Sequence, residues 1–337
     1  MTDLDAGLLA LVHRALPVGF TVVGHGDAGE GRGVFSQVTR VALRWPAGHD
    51  GPASVVLKVP AAGANGIAAA RAGAYRREAL AYRRVLPSSP VAHPHPYLVE
   101  TSPAPGAADD GGERQVEIVH LVLEDLGHHR RVDQVDGLGA DDAVAVAVEL
   151  RRFHDRWAGD AALDDLDVRR ATPTALDPAA LERGVDVLRT RWADRVDPAA
   201  AAALARAFAD RAELVARFAA AGPVTLCHGD PRADNLVFGE DGRPVLFDWQ
   251  QLAVQIGEAD LAWLAATSLT VDDRRRADRA LVEAYGTTVD RYRAGLVLPA
   301  LAVLLLVQRE ADDERTRRFI AASVDRIGTA VADLDLA

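Results

Sequence analysis

The stretch Cys227–Phe238, CHGDPRADNLVF, decides the fold, because it sets a histidine, two aspartates and an asparagine in front of an apolar run. A surface turn would also accommodate aspartate and asparagine, since both tolerate unusual backbone angles. The runs NLVF and PVLF flank GEDGR, a pattern that predicts a β-hairpin with a glycine-containing turn. In the register we predict, Phe238 lies roughly opposite Val245, so that Asn235 lies opposite Asp248.

These polar residues have the chemistry of a phosphoryl-transfer site. An amide oxygen beside a carboxylate suits Mg²⁺, which prefers hard oxygen ligands together with water and phosphate. We therefore predict Asn235 and Asp248 as metal ligands. Asp230 precedes Asn235 by five residues, in the loop that enters the first strand of the hairpin. We predict Asp230 as the catalytic base that orients the attacking hydroxyl. The simpler interpretation is an ordinary hairpin with polar turn residues.

The only lysine of the chain gives a second indication of phosphate binding. Lys58 stands among 38 basic residues, in SVVLKVP, which is the third predicted strand. A compact ammonium fits beside phosphate oxygens better than a broad guanidinium does, so we predict that Lys58 holds the α- and β-phosphates of a nucleotide. Glu78, at the edge of the apolar stripe on the following helix, is its predicted partner. A solvated lysine and a solvated glutamate are the alternative.

The glycine-rich segment near the N-terminus allows two interpretations. GHGDAG matches the pattern G-x-G-x-x-G of dinucleotide-binding folds, which requires a helix directly afterwards. The residues that follow, VFSQVTRVALRW, have strand character instead. We therefore predict a hairpin loop that covers the ATP phosphates through GRGVFS, with Gly31, Gly33 and Ser36 as contacts. A flexible turn is the simpler interpretation.

Composition bounds the class of protein. Of 337 residues, 49% are hydrophobic and 26% charged, as in ordinary globular proteins, and the net charge of -11 argues against a nucleic acid partner. The single cysteine, Cys227, lies in an apolar run and is predicted to be an inert core residue. The longest apolar run, 294–307, is short and contains Pro299, so it predicts a buried helix rather than a membrane span. We expect a cytoplasmic protein without a signal peptide.

The order of patterns along the chain predicts two lobes. Three strand-like runs, FTVVG, VFSQVTRVALRW and ASVVLKVP, predict an antiparallel meander, and a helical segment follows near 68–86. The proline-rich stretch 88–112 predicts a loop with at most a short strand, and QVEIVHLVLEDLG predicts one or two further strands. From Asp141 onward the pattern is helical, with Asp-Pro helix entries. We predict an α+β fold with a β-rich N-lobe, residues 1–125, and a helical C-lobe, residues 126–337.

The motif H-G-D-x-x-x-x-N with a following D-W resembles the catalytic and metal motifs of the aminoglycoside phosphotransferase and choline kinase superfamily. Together with GEGRGVFSQVTRV, LVLEDLG and LRRFHDRW, the resemblance is closest to the ecdysteroid-kinase-like branch. It implies a bilobal protein-kinase-like fold that uses ATP and Mg²⁺. LVLEDLG resembles the hinge of that superfamily, where the main chain of Glu124, Asp125 and Leu126 would bind adenine. The resemblance also implies that His228 is structural and that Asp260 braces the catalytic loop.

The function that we expect is a kinase that phosphorylates a hydroxyl of a small molecule. The acceptor could be an antibiotic, such as an aminoglycoside or a macrolide, or a metabolic alcohol. A catalytically silent nucleotide-binding pseudokinase and a metal-dependent hydrolase are alternatives of other classes. The hydrolase would leave Lys58 and the glycine-rich loop without a role. No membrane partner is expected, and the sequence leaves both a monomer and a dimer open.

Overall fold

The computed structural model describes residues 4–17, 19–29, 35–104 and 116–336. The chain forms two compact units. The first comprises Met1–His129 and Phe247–Gln251, and the second comprises Arg130–Leu246 and Leu252–Ala337. A sheet dominates the first unit and helices dominate the second, so the predicted α+β class is confirmed.

An antiparallel sheet of five strands in the order β1-β2-β3-β5-β4 forms the first unit. The alternation of buried and less buried residues along the second strand, from buried Thr39 through Val41 to Leu43, matches the period of two in a half-buried strand. The predicted meander is confirmed, and the third strand carries Lys58. The strands are β1 Thr21–Asp27, β2 Ser36–Arg44, β3 Ser54–Pro60, β4 Pro96–Pro103 and β5 Glu117–Glu124.

The prediction of a loop with at most a short strand over 88–112 was wrong in part. Residues Pro96–Pro103 form an eight-residue strand that pairs along β5. Prolines stand only at its two ends, and the strand lies at the edge of the sheet, where a missing N–H is tolerated. The density of proline and glycine around this segment therefore concealed a regular strand.

The helical segment of the first unit is interrupted. Helix α2, Ala64–Arg71, and helix α3, Ala74–Leu80, replace the single segment predicted near 68–86, and a π-helical turn follows at Ala81–Val85. Gly73 separates the two helices with φ of 70°, a left-handed conformation that glycine adopts without steric cost. The predicted apolar stripe is confirmed, since Tyr75, Ala79 and Tyr82 are at most 3% exposed. A further helix, α1 Ala6–Ala15, packs on the sheet through its buried residues Leu11 and Val12.

The second unit is mainly helical and is interrupted by short strands. The predicted Asp-Pro entries begin helices, because Asp177 and Asp197 accept hydrogen bonds from backbone N–H groups two residues later. The predicted helix after Asp197 divides in two at Asp210. The helices are α4 Ala140–Trp157, α5 Ala162–Asp165, α6 Pro178–Thr190, α7 Pro198–Ala209, α8 Arg211–Ala220, α9 Glu258–Ser268, α10 Val271–Tyr285, α11 Val289–Leu306 and α12 Glu314–Asp333.

Two small sheets frame the motif CHGDPRADNLVF. Strands β6 Arg169–Arg170, β10 Ala253–Ile256 and β7 Val224–Cys227 form one sheet, and β8 Leu236–Phe238 pairs with β9 Pro244–Leu246 in the predicted hairpin. The predicted register was wrong by one residue: Phe238 lies opposite Pro244, not Val245. Ladder pairing ends at Leu236 and Leu246. The hairpin therefore does not set Asn235 directly opposite Asp248.

Helices α9 and α11 form the centre of the second unit. In α9, Trp263 is the one residue that is not buried. The apolar run 294–307 belongs to α11, which is buried over most of its length and contains Pro299, so the predicted buried helix is confirmed. Among the described residues, no helix combines the length and apolar character that crossing a bilayer requires.

Candidate active site

A lysine between two carboxylates is the main feature of the first unit. Lys58 on β3 donates from Nζ to Glu78 Oε1 on α3 over 2.7 Å, and to Asp248 Oδ1 over 2.9 Å. The Lys58 side chain is 11% exposed and that of Glu78 is 1% exposed, whereas the Asp248 side chain is 34% exposed. The structure thus brings together three residues that the sequence predicted for the site. We call Lys58, Glu78, Asp248, Gln250 and Ser36 the lysine cluster.

The charges of this cluster stabilise one another. Burial lowers the pKa of Lys58, but the negative charges of Asp248 and Glu78 outweigh burial and raise the pKa above its usual value. Burial raises the pKa of the Glu78 carboxyl, and the ammonium of Lys58 opposes that rise. Lys58 therefore remains a cation at neutral pH, held at a fixed position by two oxygens.

Gln250 joins this cluster, although the sequence analysis did not identify it. Its Nε2 donates to Glu78 Oε2 over 3.1 Å and to Ser36 Oγ over 3.0 Å. Arg77 Nε in turn donates to the Gln250 backbone oxygen over 2.7 Å. Gln250 therefore fixes the second oxygen of Glu78, and it links Ser36 to that carboxylate through two hydrogen bonds. Its position two residues after Asp248 was the only signal in the sequence.

The backbone at Asp248 has a conformation that side chains rarely adopt. Its φ is 63°, in the left-handed region, and it is not a glycine. Such a backbone conformation costs free energy, and it persists where the surrounding structure holds it in place. Conformations of this kind are common at functional sites. The bond from Lys58 and the neighbouring contacts of Gln250 supply that support.

The structure describes only some of the other nucleotide contacts predicted for the first unit. Gly31 and Gly33 lie outside the described residues, whereas GHGDAG is described and lies in β1 and its turn. The next element among the described residues is β2 rather than a helix, which argues against the dinucleotide-binding interpretation. Ser36 opens β2 and is 7% exposed.

The predicted hinge lies at the end of β5. The Asp125 carboxylate accepts from Arg40 Nε over 2.7 Å and from Ser54 Oγ over 2.6 Å. Burial raises the pKa of Asp125, but these hydrogen bonds and one from the Gly127 backbone outweigh it and lower the pKa. The Glu124 N–H donates to the His95 oxygen over 2.8 Å, and Leu126 is buried. The Asp125 side chain is thus occupied within the first unit.

In the second unit, three donors surround the carboxylate of Asp230. Trp263 Nε1 donates to Asp230 Oδ1 over 2.8 Å. Arg232 Nε and Asn235 Nδ2 donate to Asp230 Oδ2 over 3.2 and 3.1 Å. We call these four residues the Asp230 cluster. Trp263 and Arg232 were missed by the sequence analysis, because their contacts depend on where α9 packs and on the shape of the loop.

A buried carboxylate holds the loop that carries Asp230. Asp260 on α9 accepts from the backbone N–H groups of His228 and Gly229, over 2.7 and 2.9 Å. It also contacts His154 Nε2 over 3.2 Å, and His154 Nδ1 contacts the Tyr285 hydroxyl over 2.6 Å. Asp260 therefore braces the loop that carries Asp230, as the family resemblance implied. His228 is fully buried, and its Nδ1 accepts from the Asp230 N–H over 3.3 Å.

Cys227 lies beside His154 and Asp260, and its thiol is unsuited to bind a metal ion. The ligand atoms of His154, Cys227 and Asp260 all lie within 4.8 Å of one another, a spacing that could hold a metal ion. Both oxygens of Asp260 are already taken by loop amides, and burial raises the pKa of the Cys227 thiol well above its usual range. A neutral thiol is a poor metal ligand, so we interpret the three residues as packing around the brace.

The two predicted metal ligands, Asn235 in the second unit and Asp248 in the first, each offer an oxygen of the type that a divalent metal binds. Asn235 uses Nδ2 for Asp230, which directs its amide oxygen Oδ1 elsewhere. Asp248 offers a carboxylate that is about one-third exposed (34%). Both are hard oxygen ligands of the kind that Mg²⁺ takes in addition to phosphate and water. Each of the two residues, taken by itself, therefore has the chemistry of the predicted ligand.

Comparison with known proteins gives a consistent result. No curated protein matches the sequence. Among solved structures, the amicoumacin kinase hAmiN in complex with AMP-PNP and Ca²⁺ is 14% identical, covers 98% of this chain and 94% of its own, and has a TM-score of 0.56. A spectinomycin phosphotransferase in complex with ADP and spectinomycin is 14% identical, covers 100% of both chains and has a TM-score of 0.55. Both likenesses show the kinase-like fold.

A sequence profile of a known family covers both units. It is described as the phosphotransferase enzyme family, APH, and it matches residues 40–295. That range contains the lysine cluster from Lys58 onward and the entire Asp230 cluster. The chain belongs to the phosphotransferase enzyme family.

Proposed function

We propose that this phosphotransferase moves the γ-phosphoryl group of ATP, with Mg²⁺, to a hydroxyl group of a small molecule. The observation that carries the proposal is the burial of the only lysine between Glu78 and Asp248. In a chain where arginine serves every other cationic position, a fixed ammonium points to a partner rich in phosphate oxygens. The membership of the family supports the same class of reaction.

The predicted nucleotide-binding and metal-binding residues each have a role in this proposal. Lys58 binds the α- and β-phosphates, and Glu78 fixes the position of the ammonium. Asp248 and Asn235 would hold Mg²⁺, which neutralises charge on the phosphates when it is bound. Gly31, Gly33 and Ser36 cover the phosphates, and the main chain of Glu124–Leu126 binds the adenine.

The Asp230 cluster acts on the acceptor. Asp230 accepts the hydrogen bond of the acceptor hydroxyl and finally takes its proton. A bond forms between the acceptor oxygen and the γ-phosphorus, and the bond from that phosphorus to the β,γ-bridging oxygen breaks, which releases ADP. Because phosphoryl transfer has a loose transition state, correct positioning of the hydroxyl contributes more than strong basicity. The donors around Asp230 supply that positioning.

The acceptor is proposed as a small alcohol of metabolism, in keeping with the ecdysteroid-kinase-like and choline-kinase-like motifs of the sequence. Structures named for an amicoumacin kinase and a spectinomycin phosphotransferase favour an antibiotic as a second candidate. Antibiotic susceptibility of a host that expresses the chain separates the two, because only an antibiotic kinase raises the inhibitory concentration. We place the enzyme in the cytoplasm, since its lone cysteine suits a reducing compartment.

A phosphate-transfer screen tests the proposal. The full chain is incubated with Mg-ATP and a panel of alcohols that includes aminoglycosides, macrolides, choline and sugars, and phosphorylated products are detected by mass spectrometry. We expect a product with the wild type and none with Asp248→Asn. Asp290→Asn is the matched control, because that side chain is 93% exposed and its ion-pair partner is Arg293 on the same helix. Nucleotide binding without product in any acceptor would instead support a pseudokinase.

A further inference from the structure

Helix α9 approaches the catalytic loop with two residues on one face. Asp260 and Trp263 are three positions apart, so they lie side by side on the helix surface. Asp260 binds the backbone of the loop at His228 and Gly229, and Trp263 binds the side chain of the next residue, Asp230. One rigid helix therefore contacts three consecutive loop residues. The role of Asp260 follows from the motif, whereas that of Trp263 does not.

The bonds to Asp230 fix the plane of its carboxylate. Trp263 occupies Oδ1 over 2.8 Å, while Arg232 and Asn235 share Oδ2 over 3.2 and 3.1 Å. A carboxylate turns broadly about its last torsion when nothing holds it. With donors on both oxygens it has one preferred orientation. The bond from Trp263 is the shortest of the three and the only one of them on Oδ1.

Trp263 is the donor best suited to hold this orientation. Asn235 is a proposed metal ligand, and Arg232 divides its guanidinium between Asp230 and Asp234, which it contacts over 3.1 Å. Trp263 has two side-chain torsions and an indole N–H that only donates. Every other residue of its helix is buried, so the indole projects from a fixed base. Donors held by packed elements preserve catalytic geometry better than long flexible side chains do.

We propose that Trp263 is a positioning residue, whose indole N–H aligns the Asp230 carboxylate for the acceptor hydroxyl. The inference rests on the proposed role of Asp230 as the catalytic base. Trp263 and Asp230 both belong to the second unit, whereas the lysine cluster belongs to the first. Loss of Trp263 therefore lowers the rate of transfer and leaves the affinity for ATP unchanged.

The first test observes the hydrogen bond itself. The chain has five tryptophans, Trp45, Trp157, Trp192, Trp249 and Trp263, so an amide-correlation NMR spectrum holds five indole signals. Trp263→Phe identifies its signal by its disappearance. In Asp230→Asn, the indole proton of Trp263 is expected to move upfield, because a neutral acceptor binds a donor more weakly than a carboxylate does. The other four signals should stay in place. An unmoved Trp263 signal would overturn the proposal.

The second test measures turnover. Trp263→Phe should lower kcat by about 10- to 100-fold, the effect of losing one hydrogen bond to a charged group. Its KM for ATP should remain that of the wild type. Mg-ATP hydrolysis with water as acceptor is the probe, together with any alcohol from the screen. Trp157→Phe is the matched control, because its buried indole N–H has no hydrogen-bond partner among the described residues.

A variant of matched shape distinguishes the loss of the hydrogen bond from a folding defect. Benzothienylalanine at position 263 keeps the two-ring shape and replaces the N–H by sulfur, so it should reproduce the loss of kcat seen with Trp263→Phe. Wild-type turnover in that variant, or equal kcat in Trp263→Phe and Trp157→Phe, would refute a positioning role. Full activity in Asp230→Asn would instead refute the proposed function, whatever the indole signal shows.

Discussion

Replacing Lys58 by methionine should expose the electrostatic cost that the lysine cluster normally avoids. The variant leaves the buried Glu78 carboxylate with Gln250 Nε2, at 3.1 Å, as its hydrogen-bonding partner in the cluster. Removing one partner of a buried ion pair costs about 3–5 kcal/mol, because the other charge stays buried. We expect a loss of that size in the free energy of opening of β3 and α3 at about pH 8.

The stability lost in Lys58→Met should depend on pH, in a direction that the pKa of Glu78 determines. Burial raises the pKa of Glu78 above its usual 4.5 even with the ammonium present, and removing Lys58 raises it further. A carboxyl with a raised pKa in the folded state destabilises the fold increasingly as the pH rises through that pKa. One proton changes stability by about 1.4 kcal/mol per pH unit. The penalty should therefore shrink by up to about 2.7 kcal/mol between about pH 8 and pH 6.

Hydrogen exchange with mass spectrometry, read on peptides of β3 and α3, measures these opening free energies. Arg14→Met is the matched control. Arg14 Nη2 and Glu100 Oε2 lie 2.8 Å apart, close to the distance in the Lys58–Glu78 pair, but the two side chains are 50% and 41% exposed. We expect this variant to cost at most about 1 kcal/mol, with little dependence on pH. The double variant Lys58→Met with Glu78→Gln should recover most of the loss. A penalty that is the same at both pH values, or no recovery in the double variant, would refute the reasoning.

Two further perturbations probe the scaffold. In Gly257→Ala, the added Cβ would lie 2.2 Å from the Tyr285 hydroxyl, so we expect thermal unfolding to show a loss of about 1–3 kcal/mol in the free energy of unfolding. Gly139 is another helix N-cap, and nothing lies within 4 Å of a Cβ added there, so Gly139→Ala should show the capping cost alone. Equal losses in the two variants would contradict the clash. In Asp125→Asn, the stability supplied by the bond from Arg40 should be missing at neutral pH, where the Asp125 carboxylate is ionised. Because the pKa of Asp125 in the folded state lies below the usual 3.8, the difference in stability between the variant and the wild type should vanish as the pH falls through that folded pKa. Urea unfolding at acid and at neutral pH measures this difference. A difference that stays constant would argue against the lowered pKa.

Local sequence signals predicted the pairing of Lys58 with Glu78. Lys58 was identifiable because lysine is otherwise absent from the chain and because the run around it has strand character. Glu78 followed from its place beside an apolar stripe, and the structure brings the two within 2.7 Å. Both inferences rest on the periodicity of single elements, which a sequence carries directly.

Register and tertiary contacts were harder to predict. The hairpin turn closes with a bond from Gly239 N–H to the Arg243 oxygen, which pairs Phe238 with Pro244 and shifts the predicted register by one residue. Turn geometry fixes register, and several turns fit the letters GEDGR. Gln250 and Trp263 were missed for another reason: their roles arise from contacts with residues that are distant in sequence, and no local pattern records such contacts.

The central claim is that Asp230 positions and finally deprotonates the hydroxyl that attacks ATP. The most direct measurement is the single-turnover rate of phosphate transfer by Asp230→Asn, with the dissociation constant of ATP determined in the same preparation. We predict a rate lower by about 100- to 10,000-fold, the range of a general base, with the dissociation constant of ATP unchanged. Transfer within a few-fold of the wild-type rate would contradict the assignment of Asp230.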